Sequence, residues 1–353
     1  MISFPEGEGL QAGEKSGQDI GRMKLLADAV LREHLVRRKV LVTGATGFIG
    51  SHLVERLVHL GAEVTAAGAD LGWRPIVRDL VQQGRVRFVN PGTFWQSASL
   101  PRVTPEFEGI EYVVHLDYEM PHGRTALEKA LDDGMRNVLG VLRLIQQLPP
   151  SVSRICFASS VSVYGHGNIR PVKETDCPHP ATIYAIGKWT TENYLKQYAT
   201  ESGVSLAILR YAAVYGPMET VPRAIPNFIR QVLGGKPPVI NGDGEDVRDY
   251  VHVVDAVQAT VSALAFDVRD TPICNVGSGQ GYTTREIAER VIRAAGANMQ
   301  PVFRSEERAS AGIVCDISQA CSRLGYEPRV DLADGLRDEI QWFRCNPQFW
   351  KNS

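Results

Sequence analysis

Cysteine is sparse in this chain and scattered. Its six residues (Cys156, Cys177, Cys274, Cys315, Cys321 and Cys345) form no C-x-x-C pair, and none stands at metal-ligand spacing from a histidine. A disulfide framework and a structural zinc site are therefore not expected, and reduced thiols in a cytoplasmic setting are. No apolar run approaches the roughly 18–20 residues that span a bilayer. An excess of positive charge is also missing. Lys and Arg number 38 against 40 Asp and Glu, and the longest basic run is RRK at 37–39. Nucleic acid and anionic membrane surfaces are poor partners for such a chain. The opening MISFPEGEGLQAGEKSGQDIG has neither a basic start nor an apolar centre, so it does not read as a signal peptide. Internal repeats and low-complexity stretches are absent too.

What is present is ordinary globular material, 353 residues with 44% hydrophobic side chains, long enough for one large or two medium domains. After a flexible lead, MKLLADAVLREHLVRR reads as an amphipathic helix that either covers the domain or helps dimerisation. From Lys39 strands and helices alternate. KVLVTG, AEVTAA, VRFVN, EYVVHL, RICFAS and SLAILRYAAVYGP are six strands; FIGSHLVERLVHLG, TALEKALDDGMRNVLGVLRLIQQL and IYAIGKWTTENYLKQYATESG are helices. That rhythm predicts an α/β fold, a Rossmann-type doubly wound parallel sheet covered on both faces. After Pro217 proline and glycine become frequent. The expected organisation is an N-terminal extension over 1–38, a dinucleotide-binding unit over 39–216, and a smaller, mainly substrate-binding lobe over 217–345.

Between the first strand and its helix, VTGATGFIG places Gly44, Gly47 and Gly50 three apart. In a nucleotide fold one such glycine allows the tight turn, one the approach of a pyrophosphate, and one the packing of helix on strand. The helix start, with Phe48 and Ile49, then offers free N–H groups and a positive dipole end to the phosphates. An acid at the end of the second strand should grip the adenosine ribose. Gly68 stands there instead, with Asp70 two residues later and Arg74 beyond. Losing the acid removes one reason to exclude a 2′-phosphate, so NADP stays open. The reading leans to NAD, with Asp70 as a displaced ribose ligand.

In YAIGK a helix carries Tyr184 and Lys188 four apart on one face. A lysine cation beside a phenol favours the phenolate, and Tyr184 could then exchange a proton with a substrate hydroxyl while a cofactor handles hydride. Tyrosine and lysine at this spacing are common on solvated helices. The pair gains meaning from ASSVSVYG one element earlier, at the carboxyl edge of the same sheet.

Taken together, TGATGFIG, NVLGV, SSVSVYG, YAIGK, LRYAAVYGP, NGDGEDVRDYVHVVDA, NVGSG and LGYEPRVDLADGLRDEIQW resemble the extended short-chain dehydrogenase/reductase family, from Lys39 to about Trp342. Within it they look like the NAD(P)-dependent nucleotide-sugar epimerases and dehydratases. The resemblance implies Ser160 as the active hydroxyl, counted four back from Tyr164, with Ser159 turned inward and Ser162 without a role. Leu116 and Asn137 are implied on the cofactor side, Arg248 on the substrate diphosphate, and Arg223 and Asn227 on a loop over the nucleotide. Dehydratases of the family follow the hydroxyl residue with an Asp–Glu pair, where Val161 and Ser162 stand here. The implied activity is epimerisation of a nucleoside diphosphate sugar, most simply at C4 through a transient ketone. An NADPH-dependent ketone reductase is the alternative, favoured by Gly68, and a non-catalytic dinucleotide sensor is a third reading. Departures include Asp117 and Tyr118 after the fourth strand, where relatives carry small residues, Asn90 after the third, and Ala213 in the sixth. Relatives dimerise through a four-helix bundle, and segments 124–147 and 183–202 carry apolar faces that would suit one.

Overall fold

The computed structural model describes residues 28–90, 105–120, 122–165, 167, 171–265, 272–305 and 312–351. The lead and the first turn of the expected N-terminal helix lie outside them. Its remainder is helical over 28–35 (α1), and it covers the domain. Leu31 and Leu35 are buried among Leu53, Val54 and Leu57, and Arg56 reaches back to pair with Asp28.

The strands are β1 Lys39–Thr43, β2 Glu63–Ala67, β3 Val86–Val89, β4 Tyr112–His115, β5 Arg154–Ser160, β6 Ser205–Tyr211, β7 Ala213–Tyr215, β8 Val239–Asn241, β9 Val247–His252, β10 Ile273–Val276, β11 Gly281–Thr283, β12 Val302–Arg304 and β13 Gly312–Ile313. Seven of them form one sheet in the order β10-β6-β5-β4-β1-β2-β3, and every pairing in it is parallel. Parallel sheets are covered on both faces, which is why strands such as β1 (KVLVT) are buried from their second residue onward. On one face lie α1, α2 (Phe48–His59), α3 (Pro75–Gln82) and the later helix Val253–Ala265. On the other lie the helices from the segment 126–147 and the helix Ile183–Ser202. Because β1 sits between β2 and β4, the order of strand addition reverses at that point, and the crevice at the carboxyl ends of β1 and β4 is where open α/β sheets bind ligands.

Three local features differ from the sequence expectation. The single strand expected across 205–217 is two. At Ala212 the backbone N–H turns to Val276 O (2.9 Å), and β7 leaves to pair with β9 in a second small sheet. The long helix expected over 124–147 contains a wider turn. Helix α4 (Ala126–Asp133), opened by a Thr125–Glu128 capping box, passes through π-helical Gly134–Val138 into α5 (Leu139–Gln147). Helix α3, between β2 and β3, was not anticipated; it is short and begins on a proline. The helix Ile183–Ser202 (α6) is capped by Thr182 and ends on left-handed Gly203. Beyond Pro217 a third apolar core gathers the helices Ala224–Leu233, Thr284–Ala294 and Leu332–Cys345. Val253–Ala265 and β10 lie beyond Pro217 too, yet the helix packs on the main sheet and the strand joins its edge. Among the described residues no helix is long and apolar enough to cross a membrane.

Candidate active site

The glycine loop meets the carboxyl ends of β1 and β4 at very close quarters. Gly44 has φ +66°, and a Cβ there would come within 2.9 Å of the Asp117 backbone. A Cβ on Gly50 would stand 2.1 Å from Gly44 O, a collision with backbone that no rotamer relieves. Helix α2 opens above this loop without a side-chain cap and without an acid in its first turn. The N–H groups of Phe48, Ile49 and Gly50 are therefore the free donors of a helix start, and its positive end is uncompensated. These residues fit a dinucleotide pyrophosphate. Leu116 donates its N–H to Thr43 O (3.3 Å) and brings the chain past Gly44.

The end of β2 has a structural explanation. A Cβ on Gly68 would meet Thr46 Oγ1 at 2.7 Å, so Thr46 of the glycine loop occupies the space of the missing acid's side chain. Asp70 is exposed and its carboxylate accepts the Gly72 N–H (2.6 Å), closing a turn. Arg74 is committed elsewhere. Its guanidinium donates to Thr46 O (3.2 Å) and Met218 O (3.3 Å) and stacks on Trp73, which ties the loop to the segment after β7. Gly68 and Arg74 thus give no support to a 2′-phosphate pocket. Asn90 holds Ala69 O (2.8 Å).

Ser160 ends β5, and its Oγ accepts from both the N–H (3.2 Å) and the hydroxyl (3.0 Å) of Ser162. With its lone pairs occupied, the Ser160 hydroxyl is left to donate outward. Ser162, without a role in the sequence reading, therefore orients the serine that has one. Ser159 turns inward, as expected, donating to Glu192 (2.5 Å), and Tyr164 donates to Asn275 (2.8 Å).

Tyr184 and Lys188 share a face of α6 beside this serine. Burial raises the Tyr184 pKa, opposed by a hydrogen bond with Ser160 and then by the charge of Arg223. This corrects the sequence argument: in the free protein it is the serine and an arginine, rather than Lys188, that ease ionisation of the phenol. Lys188 is almost fully buried, and its ammonium donates to Ala158 O (2.8 Å). Burial lowers its pKa to about 8, opposed by Asp117, Asp133 and Glu192.

The remaining expected residues fall into two groups. Arg248, on β9, makes no hydrogen bond or ion pair among the described residues, so its guanidinium is open to a ligand; neither acid beside it in the sequence pairs with it. Asp249 is instead buried on Ser278, Gly279 and Cys315. Arg223 is exposed and pairs with buried Glu219 (3.5 Å). Asn227 accepts from Arg230 (3.2 Å). The Asn137 amide is committed inside the protein: it donates to Asp133 and Glu119 O (both 2.8 Å) and accepts from Glu119 N–H (2.9 Å). Both donors being used, Asn137 anchors the loop after β4 in place of the expected cofactor contact. Two residues at the site had no assigned part in the sequence reading: Tyr118, whose hydroxyl donates to Asp133 (2.5 Å), and Asp133 itself.

Comparison with known proteins agrees with this geometry. Residues 40–277 match the model of the NAD dependent epimerase/dehydratase family. A UDP-glucose 4-epimerase from Mycolicibacterium smegmatis is 32% identical over 321 residues, covering 88% of this chain and all of that protein. Among solved structures, the UDP-glucose 4-epimerase of Thermotoga maritima with UDP-glucose superposes with a TM-score of 0.73 at 30% identity, covering 88% of this chain and 99% of the other. The UDP-glucuronic acid 4-epimerase of Bacillus cereus, in complex with UDP-glucuronic acid and NAD, gives 0.76 at 25% identity, with 87% and 99% covered. With about two thirds of its length under one family description and near-complete overlap with each relative, this chain belongs to the NAD-dependent epimerase/dehydratase family.

Proposed function

We propose that the protein interconverts the C4 epimers of a nucleoside diphosphate sugar, with Tyr184 as the acid–base group. The observation that carries this reading is the Ser160 hydroxyl, oriented by Ser162 and set where it eases ionisation of Tyr184, which lies one helical turn from Lys188 on α6. Gly44, Gly47 and Gly50, with the backbone N–H groups of Phe48 and Ile49, would hold the pyrophosphate of NAD. Bound there, NAD supplies a hydride acceptor that becomes a donor again, so the cycle is redox-neutral. Tyr184 removes the proton of the sugar 4-hydroxyl and returns it to the ketone oxygen, while Ser160 donates a hydrogen bond to that oxygen as charge develops. Arg248, unpaired, suits the substrate diphosphate, which a guanidinium grips with paired N–H groups. Water elimination needs acids beside Ser160. Val161 is buried there and Ser162 is occupied, which favours epimerisation over dehydration.

Purified protein incubated with UDP-glucose should produce its C4 epimer to a constant ratio, without added reductant or with catalytic NAD, as read by chromatography of the sugar nucleotides. Consumption of NADPH in step with product would instead establish a reductase. Failure to epimerise either UDP-glucose or UDP-glucuronic acid would remove the reading.

A homodimer is part of this proposal. Leu127, Leu131, Met135 and Leu139 recur every four residues and stay exposed, as do Ile186, Trp189 and Tyr194 on α6. An apolar face of this extent suits burial against a second copy, whose helices would complete a four-helix bundle. The same helix carries Tyr184 and Lys188 on its inner side. Leu131→Glu should convert dimer to monomer in sedimentation velocity at micromolar concentration; a native protein that already sediments as a monomer would exclude the dimer.

A further inference from the structure

Lys188 is a buried cation with no carboxylate partner at ion-pair distance among the described residues. Its ammonium has one hydrogen bond, to Ala158 O, and lies among three rings: Tyr118 at 4.7 Å from the centroid, Phe157 at 5.0 Å and Tyr184 at 6.0 Å. Phe157 is a core residue of β5, and Tyr184 has the chemistry to do. Tyr118 is the ring that comes from the loop after β4, and its placement is over-determined. Its edge meets Tyr184 in a T-shaped contact (centroids 4.8 Å, planes at 88°), and its hydroxyl donates to Asp133 at 2.5 Å. Asp133 is itself buried, fixed by Asn137, and pressed against α6 where a Cβ on Gly187 would meet its Oδ2 at 2.2 Å. The carboxylate thus packs between the turns that carry Tyr184 and Lys188.

We propose that Tyr118, tethered by Asp133, is a positioning residue: its ring is the adjustable wall of an aromatic box that keeps the Lys188 ammonium charged and directed beside Tyr184. A ring face attracts a desolvated cation through its electron-rich surface. A phenol donating to a buried carboxylate is richer in electron density than a free one, which strengthens that attraction. The box leaves the other ammonium hydrogens free of protein acceptors, where a salt bridge would have claimed them. Other charged and titratable groups face Lys188 from each packed element. His115 on β4 is held neutral, its pKa pressed to about 3 by burial and by Lys188. Asp117 on the same loop, Asp133 on α4 and Glu192 on α6 favour the cation, with Glu192 largely neutralised by Arg210 of β6. Arg223 acts on Tyr184 from the second lobe. These charges remain when the Tyr118 ring is removed, so a change on its removal reports the ring.

The proposal rests on Tyr184 and Lys188 being the reacting pair, but its test does not require turnover. With lysine labelled by carbon-13 beside its amino group, the Lys188 signal is identified by its loss in Lys188→Met and titrated in protein without substrate. In Tyr118→Leu the amine should titrate lower than in the native protein, by about half to one pH unit at the strength of one ring–cation contact. Tyr118→Phe, which keeps the ring, should recover most of that shift. Where epimerase activity is measured, the pH at which kcat stops rising should move down by the same amount while KM changes less. An unchanged Lys188 titration in folded Tyr118→Leu overturns the proposal. If Tyr118→Leu does not fold, Tyr118→Met carries the test: it removes the ring face and leaves every charge in place, Lys188 should again titrate lower, and an unchanged value overturns the proposal. A shifted titration in a protein with no epimerase activity would defeat the functional reading and leave this inference standing.

Discussion

Tyr184→Phe is expected to cut kcat for C4 epimerisation by roughly 10²–10⁴-fold, the usual contribution of a positioned proton-transfer group. The variant should still fold and still retain dinucleotide. Its ring keeps the edge contact with Tyr118, and the glycine cradle is built from Gly44, Gly50 and the start of α2, none of which touches the phenol oxygen. Retained NAD with lost turnover assigns the loss to chemistry. Loss of NAD together with activity would point to a structural role, and a rate within about threefold of native would refute the assignment.

The pH dependence of the native enzyme follows from the same groups. Tyr184 works as a base only when ionised, and burial raises its pKa in the free protein. Activity should therefore climb with pH as the phenol loses its proton. Lys188, held down to about 8 by burial, loses its charge above that point, and the site then lacks its buried cation. The expected kcat/KM profile climbs to about pH 8, levels off as loss of the Lys188 charge offsets further ionisation of the phenol, and falls only once Tyr184 is fully ionised. A profile that keeps rising well beyond that pH would show that Lys188 is not needed as a cation.

The sequence made legible whatever depends on near neighbours. The glycine cradle is local steric fact, since Gly50 must clear Gly44 O six residues away. The Tyr184–Lys188 spacing fixes a shared helix face in any helix. Alternating strands and helices imply a parallel sheet because that topology requires crossovers. Features resting on contacts distant in the chain were hidden. Gly68 looked like a missing ribose acid until Thr46, on a different loop, proved to fill its place. Arg74 looked like a surface cation, yet it bonds to Met218 O across 144 residues. LRYAAVYGP reads as one strand because both halves are apolar, and only the competing partners Val276 and β9 divide it. Leu31 and Leu35 suited two packing surfaces equally until Leu53 and Leu57 were seen beneath them. Tyr118 stood out as a large residue where relatives carry small ones, but nothing in its neighbourhood announced Asp133 or the lysine below it.

Glu192→Ala should be the most destabilising single change near the site, costing about 3–5 kcal/mol, because it strands a buried guanidinium. Glu192 is fully buried. Its Oε1 accepts from Arg210 Nε (2.9 Å) and Ser159 (2.5 Å), and its Oε2 accepts from Arg210 Nη2 (2.7 Å). The guanidinium in turn stacks over Tyr164 at 4.7 Å, and its Nη1 already lacks a partner. A drop in Tm of roughly 4–7 °C is expected for a chain of this size. Activity should fall beyond what lost stability explains, measured well below Tm. Glu192 lies one turn after Lys188, and its partner Ser159 adjoins Ser160, so one carboxylate fixes the spacing between β5 and α6 that sets Ser160 beside Tyr184. The double variant Glu192→Met with Arg210→Leu separates the two effects. Replacing both charges with apolar groups of similar reach removes the stranded cation and should recover much of the Tm. The Ser159 hydroxyl is then unpaired and the β5–α6 spacing no longer pinned, so kcat should stay low. A single variant melting within about 2 °C of native would show that Arg210 finds another partner. Recovery of kcat together with Tm in the double variant would show that packing alone sets the geometry of Ser160 and Tyr184.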